Sequence, residues 1–230
     1  MLTVYGEGCG FRVVWLLEEL GGAYRLRPVD LFAVENDPDF LAINPAGFIP
    51  ALQDGEMIMV ESIAILEYLL ARHGPSPLAV APDDPVFAAY LQFLHLGEAG
   101  LAGPMNAVIV GRAFAPAAER NARVTIWALE TFHSRLGLVI QRLANRPFLA
   151  GDRFTAADIS VSYALLLGLR TSNYTPGSVE RAYLARTTAR PAYARADGNL
   201  PSHQGLGGAI TGVVEPSRES IEGIPTSGLD

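Results

Sequence analysis

Apolar positions along the first 75 residues switch between two periods. Leu2–Tyr5 is a short β-type run closed by the glycine-rich Gly6-Glu7-Gly8-Cys9-Gly10. From Phe11, Val13, Val14, Leu16, Leu17 and Leu20 recur at helical spacing until Gly21-Gly22 stops the helix. Residues 23–29 alternate Tyr24 and Leu26 with Arg25 and Arg27 and read as a second strand. Residues 37–43 form a short helical segment, and Asn44-Pro45-Ala46-Gly47 is a turn. Residues 50–53 and Met57–Val60 are two strands joined by Asp54-Gly55, a strong hairpin dipeptide. Residues 62–73 then give a helix with Ile63, Leu66, Leu69 and Leu70 on its apolar side. The order β-α-β-α-β-β-α predicts a small α/β unit whose first two strands need a crossover helix.

Beyond a proline-rich connector the pattern becomes helical only. Residues 86–111, 117–144, 156–169 and 179–189 all read as helices, with no strand period between them. Gly97, Gly100, Gly103 and Pro104 interrupt the first of these and predict a kink or break near Pro104. The expected division is residues 1–75, a linker at 76–85, a helical domain at 86–197 and a loose Gly/Pro/Ser-rich tail at 198–230.

Composition narrows the function. Half of the 230 residues are apolar and 18% charged, so the chain can bury a sizeable core. The net charge of -7 argues against general nucleic-acid binding, which needs clustered Lys and Arg. Cys9 is the only cysteine, so no internal disulfide forms, as expected of a reducing compartment. The start MLTVYGEGCG lacks the basic and apolar regions of a secretory leader, and no run approaches a membrane span. The expectation is a cytoplasmic enzyme or binding protein.

The most informative stretch is residues 44–69. It orders a loop, a turn, a proline, a short hairpin and then Glu61-Ser62 at the start of a helix. Free backbone groups and a helix N-terminus are thereby placed side by side, which suits an extended, carboxylate-bearing peptide. Ser62 can act as N-cap of that helix, and a plain capped helix is the structural alternative. Thr155-x-x-Asp158 has capping-box form, which reads as buried scaffolding rather than chemistry. Gly6-x-Gly8-x-Gly10 lacks the later glycine and the long parallel unit of a dinucleotide fold. Trp15 and Trp127 read as core, His73 as a helix C-terminal cap and His95 as a satisfied interface histidine.

Three blocks resemble the glutathione S-transferase superfamily: Asn44-Pro45-x-Gly47-x-Ile49-Pro50-Ala51-Leu52 with Glu61-Ser62-Ile63-Ala64-Ile65-Leu66; Phe148-Leu149-Ala150-Gly151-Asp152-x-Phe154-Thr155-x-Ala157-Asp158; and, more weakly, residues 186–196. The resemblance implies an α/β thioredoxin-like N-terminal domain followed by an all-α helical domain, a homodimer, glutathione as co-substrate and a small hydrophobic substrate between the domains. It implies a cis bond at Ile49-Pro50, with the Ile49 backbone pairing with the cysteinyl unit. Ser62 then receives the γ-glutamyl carboxylate and Glu61 the ammonium. Tyr90, His95, Met105, Asn106 and Ile109 become possible walls for the second substrate.

Around the sulfur the chain departs from that family. Family members activate the thiol with Tyr at the end of the first strand, or with Ser or Cys at the first helix. Here the segment from Tyr5 to Arg12 is several residues short, Glu7 and Gly8 stand where serine is expected, and no Ser or Thr occurs from residue 4 to 61. Cys9 can supply a thiolate at the helix start or form a mixed disulfide. Tyr5 can donate its phenol, and the N–H groups of Gly10 and Phe11 can form an oxyanion-hole-like donor. Residues 31–49 contain no basic residue for the glycine carboxylate. Arg12 is the near candidate, unless it pairs with Glu19 or another acid. Three readings follow: conjugation by an activated glutathione thiol, Cys9-dependent thiol transfer or deglutathionylation, and a non-catalytic binding or scaffold protein.

Overall fold

The computed structural model describes residues 1–172 and 174–199. The tail expectation therefore lies, from residue 200 onward, outside the described residues. The N-terminal elements are β1 (Leu2–Tyr5), α1 (Phe11–Leu20), β2 (Tyr24–Arg27), α2 (Pro38–Ile43), β3 (Ala51–Asp54), β4 (Met57–Val60) and α3 (Ser62–Arg72). They follow the order read from the sequence: β1 and β4 have the expected bounds, β3 is shifted by one residue and β2 is shorter at both ends. Helices alone follow: α4 (Phe87–His95), α5 (Gly103–Ala113), α6 (Arg123–Leu143), α7 (Ala156–Thr171), α8 (Ser178–Thr188) and α9 (Pro191–Gly198).

The sheet runs β2-β1-β3-β4, with β1 parallel to β2 and antiparallel to β3, and β3 antiparallel to β4. Strand alternation sorts its side chains. Leu2, Val4 and its partner Leu52 enter the main core with α1 and α3. Tyr5 and its partner Ala51 face the opposite side, where Phe40 of α2 closes a smaller core. Gly21 ends α1 at φ 65, a left-handed conformation open to glycine, and Gly22 N–H returns to the Leu17 carbonyl at 3.1 Å.

α1 lies between the sheet and the helical part, so its polar and apolar sides are both covered: every residue from Phe11 to Leu17 is buried. Trp15 packs edge-on to Tyr193 of α9 at 4.9 Å and against Phe154 at 5.8 Å. Arg190 binds Glu19 and lies 4.0 Å over the Phe154 ring, fastening the start of α9 to α1.

The first long helical stretch is not one regular helix. A π-helical segment, Leu96–Ala102, separates α4 from α5 just ahead of Gly103-Pro104, so the expected break exists and lies slightly N-terminal to Pro104. Gly97 lets this segment touch α7, since a Cβ there would meet Ser160 Oγ at 2.3 Å. The second stretch starts later than its sequence pattern: Ala117–Glu119 is a separate 3-10 turn, and α6 begins at Arg123.

At the α7 start, Asp158 accepts from Thr155 N–H at 2.8 Å, Leu149 N–H at 3.0 Å and the Tyr183 hydroxyl at 3.0 Å. The carboxylate has no exposed surface, and its role is scaffolding. Trp127 corrects the core assignment: it is 60% exposed, beside exposed Val124 and Ile126 on the outer side of α6. No helix among the described residues is long and apolar enough to cross a membrane.

Candidate functional site

The turn before β3 is built by its own side chains. Asn44 Nδ2 donates to the Phe48 carbonyl at 2.7 Å, and Asn44 Oδ1 accepts from Ala46 N–H at 3.2 Å. Gly47 sits at φ 68, and the Ile49-Pro50 peptide is cis. Ladder pairing of β3 begins at Ala51, so the Ile49 backbone precedes the sheet hydrogen bonds.

The glycine-rich segment after β1 lies directly on this turn. A Cβ at Gly6 would fall 2.1 Å from Ile49 Cγ2; at Gly8 it would be 3.5 Å from Ile49 Cδ1, and at Gly10 3.5 Å from Pro50 Cβ. The alternate glycines thus let the chain on either side of Cys9 lie close against the cis-proline turn. Their spacing, uninformative as a nucleotide motif, is a packing device.

Glu61 is the only non-glycine residue at positive φ among the described residues, at φ 74 and ψ 106. Such a conformation costs about 1–3 kcal/mol and collects at functional positions. Glu61, rather than Ser62, occupies the N-cap, and Ser62 is the first helical residue of α3. The reason is the sharp turn at Glu61, which brings its carbonyl onto Ile65 N–H at 2.9 Å. Ser62 is buried and its Oγ accepts from Arg12 Nη1 at 3.2 Å. The first N–H groups of α3 still lack intrahelical acceptors, as at any helix start.

Of the two roles open to Arg12, the structure shows pairing with an acid, Glu98. Its side chain is 0% exposed, pairs with Glu98, donates to the Gly97 carbonyl at 3.3 Å and lies 4.1 Å over the Tyr163 ring. It offers no surface to a glycine carboxylate, and Glu19 belongs to Arg190 instead. A guanidinium taken this far out of water needs all these partners.

Around the sulfur position, three of the four proposed donors are already engaged. Tyr5 donates its hydroxyl to Gln53 Oε1 at 2.7 Å and packs on Phe40 at 6.1 Å, in the small core on the far side of the sheet. Gly10 N–H bonds to the Glu7 carbonyl at 3.0 Å and Phe11 N–H to the Gly8 carbonyl, closing the 3-10 turn Gly8–Gly10. Cys9, half-buried, accepts at Sγ from the Tyr163 hydroxyl at 3.5 Å. Burial pushes the neighbouring Glu7 carboxyl above its usual range.

The structure therefore gathers Cys9, Ile49, Pro50, Glu61 and Ser62 along one seam, with Arg12 behind it; Tyr5 shares the small core on which Ile49 packs, but its hydroxyl is taken by Gln53. Tyr163 and Glu98 are the members that residue patterns did not single out. The only signal for Tyr163 is a polar tip inside an all-round apolar helix, which must find a partner. Among the proposed wall residues, Tyr90 and Met105 are core, Asn106 and Ile109 half-buried, and His95 is exposed with its ring 3.1 Å from Glu67. Phe32 and Phe114, 58% and 59% exposed, instead meet ring to ring at 5.5 Å across the two parts of the chain.

Residues 2–71 match the family model described as Glutathione S-transferase, N-terminal domain. Glutathione S-transferase F13 of Arabidopsis thaliana is 33% identical over 69% of this chain and 76% of its own length. Glutathione S-transferase 3 of Zea mays is 30% identical over 83% of this chain and 89% of its own. Among solved structures, the theta class glutathione S-transferase of Xanthomonas axonopodis pv. citri with glutathione bound shares 29% identity. It superposes with a TM-score of 0.73 over 85% of this chain and 96% of that one.

Proposed function

The chain belongs to the glutathione S-transferase superfamily, and from this premise we propose that it binds glutathione along the seam from Ile49 to Ser62. Glutathione is then the co-substrate whose sulfur, presented beside Cys9, meets a small hydrophobic electrophile. The observation that carries the reading is the junction of the Ile49-cis-Pro50 turn with the strained Glu61-Ser62 helix start.

Each group has a counterpart in glutathione. The Ile49 backbone, ahead of the β3 ladder, can pair with the cysteinyl unit as a short added strand. Ser62 Oγ and the first N–H groups of α3 receive the γ-glutamyl carboxylate, favoured by the helix dipole. The Glu61 carboxylate meets the ammonium. A free thiol of pKa near 8.5 is only a few per cent ionised at pH 7, and moving it two units takes about 2.7 kcal/mol. The apolar partner has the exposed Phe32–Phe114 pair to lie on. Phe32 is two residues from Val34, whose methyls line the space beside Gly47 of the turn. The reading extends to a homodimer, tested by light scattering against a monomer mass of 24.6 kDa.

A second chemistry is favoured by one contact, the Tyr163 hydroxyl on Cys9 Sγ. In it the Cys9 thiolate attacks the glutathione sulfur of a mixed disulfide between glutathione and a substrate thiol; an S–S bond to glutathione forms, the mixed disulfide breaks, and the substrate thiolate leaves and takes a proton. A second glutathione thiolate then displaces Cys9 and leaves as oxidised glutathione.

Titration calorimetry with millimolar glutathione tests the binding reading, and absence of heat and of any thermal shift overturns it. Ser62→Ala is expected to weaken binding about tenfold. Cys9→Ser separates the chemistries: loss of disulfide exchange with conjugation of a chlorinated nitrobenzene retained assigns thiol transfer to Cys9. Retention of both makes Cys9 structural.

A further inference from the structure

Residues 4–61 contain neither serine nor threonine, and the Tyr5 phenol is spent on Gln53 at 2.7 Å. The hydroxyl that reaches the sulfur turn comes from elsewhere in the chain. Tyr163, on the second turn of α7, is 6% exposed and directs its Oη at Cys9 Sγ, 3.5 Å away. Its ring is held on two sides: Phe11 lies 6.4 Å away in a stacked arrangement, and the Arg12 guanidinium sits 4.1 Å over the ring centroid.

We propose that Tyr163 is the positioning hydroxyl of the sulfur site, contributed by the helical part of the chain and acting through Cys9. The inference rests on the reading above that sulfur chemistry occurs at this seam. A phenol O–H donated to a sulfur stabilises the thiolate over the thiol, because the charged acceptor makes the stronger bond. A cation over the ring face withdraws electron density and strengthens that donation. The same Arg12 binds Ser62 Oγ at 3.2 Å, so one buried side chain spans from the carboxylate socket to the phenol behind Cys9.

The charged and titratable groups around this phenol are few: Cys9 from the 3-10 turn, Arg12 from α1 and Glu98 from the π-helical segment, with Glu7 two residues from Cys9. Burial, and then Cys9 itself, hold the Tyr163 hydroxyl well above its ordinary range. A shift in that direction favours the protonated phenol, the form that donates to the sulfur.

The test is the pH profile of Cys9 alkylation by iodoacetamide, followed by mass spectrometry on the only cysteine of the chain. In that reaction the thiolate forms the S–C bond and iodide leaves. Tyr163→Phe retains the ring and its cation and removes only the hydroxyl. The expected result is a rate at pH 7 lower by about three- to tenfold, with the profile displaced to higher pH by roughly 0.5–1 unit. Superimposable profiles overturn the proposal. Glutathione affinity of the same variant, read by calorimetry, is expected within about twofold of the parent. Failure of glutathione to bind either protein would sink the functional reading without touching the Cys9–Tyr163 result. Should Tyr163→Phe not fold, 3-fluorotyrosine placed at position 163, a stronger donor, must displace the profile to lower pH; no displacement, or the opposite one, overturns the proposal.

Discussion

Arg12 Nη1 donates to Ser62 Oγ at 3.2 Å, tying the first helix to the start of α3. The same guanidinium pairs with Glu98 of the helical part, so one buried cation joins three segments. Removing it leaves Ser62 without its donor and Glu98 without its counter-ion. Glu98 keeps some exposed surface, which softens the loss. Arg12→Ala is expected to cost roughly 2–4 kcal/mol in urea unfolding and to weaken glutathione binding with it. A cost below about 1 kcal/mol would mean that the ion pair contributes little.

Glu61 holds a left-handed backbone at φ 74 that glycine adopts without strain. Glu61→Gly is therefore expected to leave stability unchanged or raise it by up to about 1 kcal/mol, while lowering glutathione affinity through loss of the carboxylate. Denaturant unfolding and calorimetry on one preparation read both effects. A variant that loses stability and retains affinity would contradict the assignment of strain to function.

Gly6 and Gly8 both have positive φ, yet only Gly6 abuts the Ile49 side chain too closely for a Cβ. Gly6→Ala must push Ile49 off the cis-proline turn and is expected to cost about 2–4 kcal/mol and most of the glutathione affinity. Gly8→Ala meets Ile49 only at van der Waals distance, so it carries the backbone term alone, about 1 kcal/mol. Equal effects at the two positions would remove the packing explanation for the alternate glycines.

Asp158 gives stability an unusual pH component. Burial raises its carboxyl from 3.8 to about 6, against the hydrogen bonds from Leu149, Thr155 and Tyr183 that lower it. Between those two values the folded chain binds more protons than the unfolded one. The contribution is thus complete below about pH 4 and is lost as pH rises through about 6. Over that window it amounts to about 1–3 kcal/mol. The Asp37 carboxylate, lowered by Arg27, works in the opposite sense, so a difference measurement is needed. Stability of wild type minus Asp158→Asn, followed by urea unfolding from pH 5 to 7.5, is expected to decline with rising pH. A flat or rising difference would refute the buried-acid account.

Much of the architecture was written locally. The hairpin at Asp54-Gly55, the stop at Gly21-Gly22, the Asn44–Gly47 turn and the Thr155–Asp158 cap each depend on residues within a few positions of one another. Periodicity and turn chemistry therefore show them directly. The turn before Pro50 and the helix start at Glu61-Ser62 were legible for the same reason, since each lies within one short segment.

What tertiary structure decided was partnership across sequence distance. Tyr5 finds Gln53 at a separation of 48 residues, Arg12 finds Ser62 at 50 and Glu98 at 86, and Tyr163 finds Cys9 at 154. No local pattern states which polar tip a buried phenol or guanidinium will meet, because packing of whole elements brings the two together. Trp127 makes the same point from the outside: α6 carries apolar residues on more than one side, and only its neighbours determine which side is buried. By itself the sequence determined the strands, the helices, the turn before β3 and the helix start at Ser62, each formed by neighbours in the chain. The surroundings of the sulfur were decided when α7 packed behind Cys9, since a buried hydrogen bond exists only where the fold places donor beside acceptor.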